Sequence, residues 1–125
     1  MLAGHRDRPG SGVQALAGIR SWSGATIAAA AYAQLGVFQD CTALATHALA
    51  AAGINFHGLP AGYPSLGHAV SAAEARPGDL TYYRNGGLGM AHIAVYVGND
   101  VAVHGGWNGH TTVLYSVNAG SGASC

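Results

Sequence analysis

Three side chains in this sequence are suited to nucleophilic catalysis: the thiol of Cys41 and the imidazoles of His92 and His104. A thiolate attacks a carbonyl carbon, and a nearby imidazole takes the thiol proton and later returns it to the leaving amine. A third polar group holds that imidazole in its working orientation. These residue types predict Cys41 as nucleophile, His92 as base and His104 as the orienting residue.

The residues around Cys41 predict that it begins a helix. Asp40 stands where an N-cap belongs, residues 41–52 are unbroken helix-forming sequence, and Gly53 is a typical C-cap. At a helix start, the unpaired backbone N–H groups and the macrodipole favour an anion, and the thiolate is the reactive form of cysteine. The backbone N–H of Cys41 is also a candidate donor to an oxyanion. The alternative is a buried, unreactive cysteine.

A predicted hairpin places the two histidines on one face of a sheet. Residues 92–97 alternate at period two, residues 98–100 turn, and residues 101–104 return. A three-residue loop brings the five large aliphatic side chains to one face of the hairpin. A two-residue loop would leave several of them exposed, and burial of each such side chain contributes about 1.5–3 kcal/mol. In the favoured register His104 lies opposite Ala94 and diagonal to His92, roughly 7–8 Å away at the backbone. We expect a helix packed on the face of Ala94 and Ala102 to bring its amino end to His92.

The order of the elements predicts an α+β fold. Helices at residues 24–35 and 41–52 precede strands at residues 79–83, 92–97, 101–104 and 111–117. Residues 55–75 are predicted as loop, with a short helix around residues 67–73. The predicted organisation is an arm at residues 1–23 with one helical turn in residues 13–19, a single domain at residues 24–117, and a flexible tail at residues 118–125.

Composition excludes several classes of partner. Charged residues make up 8 % of the chain and the formal net charge is zero, so no basic face is available for nucleic acid. No apolar stretch approaches the roughly 18 residues of a membrane span, so we expect no membrane insertion. The first residues do not resemble a signal peptide, and we expect another agent to deliver a protein that acts outside the cytoplasm.

The second cysteine, Cys125, follows a Gly-Ser-Ala stretch that is typical of a mobile segment. A bridge from the interior to such a segment would restrain little, and two cysteines do not make a secreted disulfide framework. We therefore expect no structural disulfide, and the sequence leaves the role of Cys125 open.

Four short motifs together resemble the NlpC family, which comprises papain-like cysteine peptidases of bacterial cell walls. In chain order they are Asp40-Cys41-Thr42, Gly53-Ile54, Arg76-Pro77-Gly78-Asp79-Leu80, and His92-Ile93-Ala94-Val95-Tyr96-Val97-Gly98-Asn99 followed by His104-Gly105. The resemblance covers residues 30–106. It implies a papain-like arrangement of amino-terminal helices on a carboxy-terminal antiparallel sheet, with Cys41, His92 and His104 as the catalytic residues. It also implies hydrolysis of peptidoglycan stem peptides, most often between γ-D-glutamate and a diamino acid.

Further residues match positions that contact substrate in the family. The resemblance assigns Asp40 and Thr42 to stem-peptide binding, with helix capping as the alternative for Asp40. Trp107 is a candidate for the rim of the cleft, where it would stack on sugar or peptide, or else an ordinary packed aromatic. Asp79 is better explained by fixing a turn. The family's aromatic and glycine-rich stretch before the Asp-Cys pair is missing, and this departure affects substrate selectivity rather than the chemistry.

The setting and the competing functions follow from the same residues. Because we expect no leader, such an enzyme would suit a phage tail, with other tail or assembly proteins as partners, a lysis protein, or a toxin delivered by a secretion machine. The alternatives are a structural tail subunit that keeps the fold without activity, and an acyltransferase or amidase on the same scaffold. A zinc hydrolase built from His92, His104 and either Asp79 or Cys41 is a further alternative. The peptidase hypothesis needs no cofactor.

Overall fold

The computed structural model describes residues 11–15, 20–87, 89–118 and 125. The described residues contain two α-helices, α1 and α2, followed by two short 3₁₀ helices. The helices are α1 (Arg20–Tyr32), α2 (Cys41–Ala50) and the 3₁₀ segments Pro60–Leu66 and Ala72–Glu74. The strands are β1 (Ser11–Ala15), β2 (His68–Val70), β3 (Leu80–Gly87), β4 (Met90–Gly98), β5 (Val101–Trp107) and β6 (Thr111–Ser116).

The six strands form one antiparallel sheet in the order β2-β1-β3-β4-β5-β6. From β3 to β6 each strand pairs with the next along the chain, as expected for a meander joined by short turns. Both α-helices precede this meander, so the predicted α+β class is confirmed.

The hairpin between β4 and β5 adopts the predicted register. Val95 pairs with Val103 and Tyr96 with Ala102, and the ladder shifts by one residue only at the turn itself. Asn99 and Asp100 take positive φ angles of 54° and 59° there, a conformation that these two residue types tolerate better than most others. Burial of the aliphatic set therefore decides the pairing, as the alternation indicated.

Helix α2 packs on the opposite face of the sheet from the one predicted. Its apolar side chains share the main core with Ile93, Val95 and Val103, whereas Ala94 and Ala102 belong to a separate small cluster with Tyr83. The expectation that the helix would cover the small-residue face was wrong. The larger aliphatic side chains gain more from burial, and the helix is the element that covers them.

The first part of the described chain also differs from the prediction. Residues 11–15 form β1, which lies between β2 and β3, where a helical turn was expected. Helix α1 begins at Arg20, within the residues expected as an arm, and residues 68–70 form a strand rather than part of a helix. Strand β3 continues to Gly87, beyond residue 83, where the predicted strand ends. These strands are stabilised by partners distant in sequence, which local patterns do not reveal.

Parts of the predicted arm and tail lie outside the described residues, namely residues 1–10, 16–19 and 119–124. Within the described part of the chain, no helix has the length and apolar character needed to cross a lipid bilayer.

Candidate active site

The start of α2 is capped as predicted. The Asp40 carboxylate accepts hydrogen bonds from the backbone N–H of Ala43 at 2.7 Å and from the Thr42 hydroxyl at 2.8 Å. Partial burial acts to raise the pKa of Asp40, but these two hydrogen bonds and the nearby His57 outweigh it and leave the pKa below its usual value. The capping role of Asp40 is therefore confirmed, and Cys41 is the first residue of the helix.

Close backbone contacts hold this helix start against β5. Gly106 N–H donates to the carbonyl of Gln39 at 2.8 Å. A Cβ atom added at Gly105 would lie 2.6 Å from the carbonyl oxygen of Asp40 and 3.1 Å from the Cβ of Leu44. Only a residue without a side chain permits this approach. The approach explains how α2 reaches the histidines although it covers the other face of the hairpin.

The two histidines form a buried, hydrogen-bonded pair. His92 Nε2 lies 3.0 Å from His104 Nδ1, and the rings are nearly parallel, with centroids 5.2 Å apart. His104 Nε2 lies 3.1 Å from the backbone carbonyl oxygen of Ser116. The side chains are 1 % and 0 % exposed. The predicted proximity of the pair is confirmed.

The Ser116 carbonyl determines where the protons lie along this chain of contacts. A carbonyl only accepts, so His104 carries its proton on Nε2, and its Nδ1 is then an acceptor when the ring is neutral. His92 must therefore donate from Nε2, which leaves a lone pair on His92 Nδ1. That nitrogen lies 3.6 Å from the sulfur of Cys125.

Burial keeps both rings neutral. Desolvation lowers the pKa of His92 well below 6.5, and the neighbouring His104 lowers it further. Desolvation also lowers the pKa of His104 to about 4, although its hydrogen bonds to the backbone of Ser116 and Tyr115 oppose the shift. The unprotonated Nδ1 of a neutral His92 can accept a hydrogen bond from a thiol.

Aromatic rings surround the histidine pair. The Tyr83 ring lies 5.3 Å from His92 and 6.1 Å from His104 between centroids. Trp107 is half-buried and its ring lies 5.2 Å from that of His104. A Cβ atom added at Gly86 would lie 2.5 Å from the Cβ of His92, so this glycine leaves room for the base. Trp107 thus lies beside the histidines, where both of its predicted roles remain compatible with its position.

Cys125 is the residue that sequence reasoning missed. It forms a disulfide bond with Cys41, with the Cα atoms 5.2 Å apart, so the expectation of no disulfide was wrong. Its sulfur also lies 3.6 Å from His92 Nδ1. The only signal in the sequence was the presence of a second cysteine, because a pairing across 84 residues follows from the tertiary fold and not from spacing.

Donor atoms of Cys41, His92 and Cys125 lie within 4.8 Å of one another, and in the described part of the chain this is the group of three that could hold a metal ion. Two thiolates and an imidazole would suit zinc, but sulfurs bonded to each other are not thiolates. Neither His104 nor Asp79 belongs to such a cluster among the described residues, so the zinc sites predicted with these residues are not formed. The Asp79 carboxylate instead accepts a hydrogen bond from the Arg76 N–H at 2.8 Å, which supports its predicted role in the turn.

The structure has a cysteine at a helix start beside a histidine pair, and both α-helices precede the main antiparallel strands. This is the arrangement of papain-like folds. The structure is similar to that of NlpC1 from Trichomonas vaginalis, with a TM-score of 0.67 and 22 % identity over 75 % of this chain and 39 % of that one. A model of the NlpC/P60 family matches residues 21–121. The chain belongs to the NlpC/P60 family.

Two curated relatives are proteins named "Probable endopeptidase p60". The one from Listeria seeligeri is 34 % identical over 83 residues, and the one from Listeria welshimeri is 31 % identical over 83 residues. Each match covers 66 % of this chain and 15 % of the relative. The chain therefore spans only a small part of the length of these relatives.

Proposed function

We propose that this chain is a cysteine endopeptidase that hydrolyses peptide bonds in the stem peptides of peptidoglycan. The observation that supports this most directly is the line of contacts from the Ser116 carbonyl through His104 to His92, which has a ring nitrogen within 4.8 Å of the Cys41 sulfur. Membership of the NlpC/P60 family and the names of the Listeria relatives support the same activity.

The proposed reaction starts from the reduced Cys41 thiol. His92 Nδ1 accepts the thiol proton, and the thiolate attacks the carbonyl carbon of the scissile peptide bond. The backbone N–H of Cys41 faces the developing oxyanion, and His92 then donates its proton to the leaving amine. Water, activated by His92, hydrolyses the thioester and restores the thiol. His104 keeps the His92 ring oriented throughout, because its own Nε2 is bound to Ser116.

We assign substrate binding to the groups that flank the nucleophile. The Asp40 carboxylate remains exposed on one side while it caps α2, and Thr42 lies beside it. Trp107 borders the histidine pair from β5. The scissile bond proposed is the one between γ-D-glutamate and a diamino acid, and the proposed setting is a phage tail or a lysis system that brings the enzyme to the wall.

Digestion of purified peptidoglycan by the thiol-reduced protein tests this function. We expect soluble muropeptides with new free amino groups, detected by mass spectrometry, and loss of the products in Cys41→Ala and His92→Ala. His47→Ala is the matched control, because His47 is an exposed histidine on α2. Equal behaviour of wild type and Cys41→Ala would favour the structural subunit instead. Products in which a new amide replaces the free carboxylate would indicate an acyltransferase.

A further inference from the structure

The nucleophile of the proposed reaction is occupied by a second cysteine of the same chain. Cys41 is completely buried and bonded to Cys125, and the Cys125 sulfur lies 3.6 Å from the nitrogen that would accept the thiol proton. Cys125 thus covers both the sulfur and the base. No peptide carbonyl can reach Cys41 while this bond is intact.

We propose that the Cys41–Cys125 disulfide is a reversible redox latch that keeps the enzyme latent until a low-molecular-weight thiol opens it. The proposal rests on the proposed peptidase function, since the latch matters only if Cys41 is the nucleophile. It differs from a purely structural disulfide because the bond blocks the reacting atoms themselves.

The burial of the two cysteines favours one direction of opening. Cys125 is partly exposed whereas Cys41 is fully buried, so an external thiolate reaches the Cys125 sulfur first. Attack there forms a mixed disulfide on Cys125 and releases Cys41 as a thiolate. The departing charge develops at the amino end of α2, where the helix start favours an anion, and beside His92, which can take up a proton.

A second thiol completes the reduction. It attacks the mixed disulfide and releases the Cys125 thiol together with the oxidised reagent, so two molecules of thiol become one disulfide while the protein disulfide becomes two thiols. The reverse exchange with an oxidised low-molecular-weight disulfide restores the latent form. Neither direction requires a further oxidant or reductant.

The test compares wild type with Cys125→Ser, which keeps the size of the side chain but cannot form the bond. Each protein is equilibrated in buffers of differing ratios of reduced to oxidised glutathione. Alkylation and peptide mass spectrometry measure whether Cys41 is free, and digestion of peptidoglycan is measured in parallel. We expect wild-type activity to rise in proportion to the fraction of free Cys41 and to vanish in the fully oxidised protein. We expect Cys125→Ser to remain active in buffers that fully oxidise wild type.

Several outcomes would overturn the latch. Two free thiols in oxidised glutathione, or full activity of a protein whose disulfide is verified, would each refute it. Activation of the untreated protein by a chelator alone would assign the three donors to a metal instead. If no form digests peptidoglycan, the proposed function fails. In that case the alkylation data still decide whether Cys125 reversibly blocks Cys41, because they do not depend on activity.

Discussion

The buried histidine pair predicts that the disulfide-bonded protein loses stability when the pH falls from about 7 to about 5. His104 has a pKa of about 4 in the folded protein and near 6.5 when exposed, and the pKa of His92 is also lowered. Between these values the unfolded chain binds a proton that the folded chain excludes. The free energy of unfolding therefore rises with pH across this window. The contribution of the two histidines to stability is lost as the pH falls through it.

The size of the effect follows from the shift of His104. The pKa of His104 is 6.5 in the unfolded chain and about 4 in the folded protein. This difference corresponds to a loss of about 2 kcal/mol in the free energy of unfolding between about pH 7 and about pH 5. It is most of the roughly 3 kcal/mol that is lost once His104 is protonated in both states. His92 adds to this loss, because its pKa moves in the same direction and for the same reason, desolvation. We expect the two contributions to be less than additive, since charging one ring opposes charging its neighbour.

Urea denaturation of the disulfide-bonded protein, followed by circular dichroism across this pH range, measures the loss. His104→Asn is the informative variant, and we expect a smaller dependence on pH whatever its absolute stability. His47→Ala, which removes an exposed histidine, is the control and should leave the dependence unchanged. A free energy of unfolding that stays constant over the range, or that increases on acidification, would refute a neutral buried pair.

Substitutions at three positions test how the site is built, each by urea denaturation at neutral pH. Gly105→Ala places a methyl group 2.6 Å from the Asp40 carbonyl oxygen, and we expect a loss of about 1–3 kcal/mol together with reduced peptidoglycan turnover; unchanged stability would contradict the close approach. Asp40→Ala removes the helix cap and should cost about 1 kcal/mol, whereas Asp40→Asn should retain most of it. Tyr63→Phe removes the hydrogen bonds of the buried Tyr63 hydroxyl to the Thr42 backbone carbonyl and the Thr46 hydroxyl. We expect the free energy of unfolding to fall by about 1–2 kcal/mol, and an unchanged value would contradict these bonds.

The sequence by itself determined the parts of the site that depend on neighbouring residues. Asp40 and Cys41 were predicted as cap and first helical residue because capping is a contact over three positions. The pairing of Val95 with Val103, and hence the shared face of His92 and His104, followed from alternation and a short turn.

Only the tertiary structure decided the features that join distant segments. These are the insertion of β1 between β2 and β3, the packing of α2 on the aliphatic face, and the bond between Cys41 and Cys125. The approach of α2 to Gly105 is a contact of the same kind. Such contacts depend on which distant segments meet across the whole chain, and local periodicity carries no information about that choice.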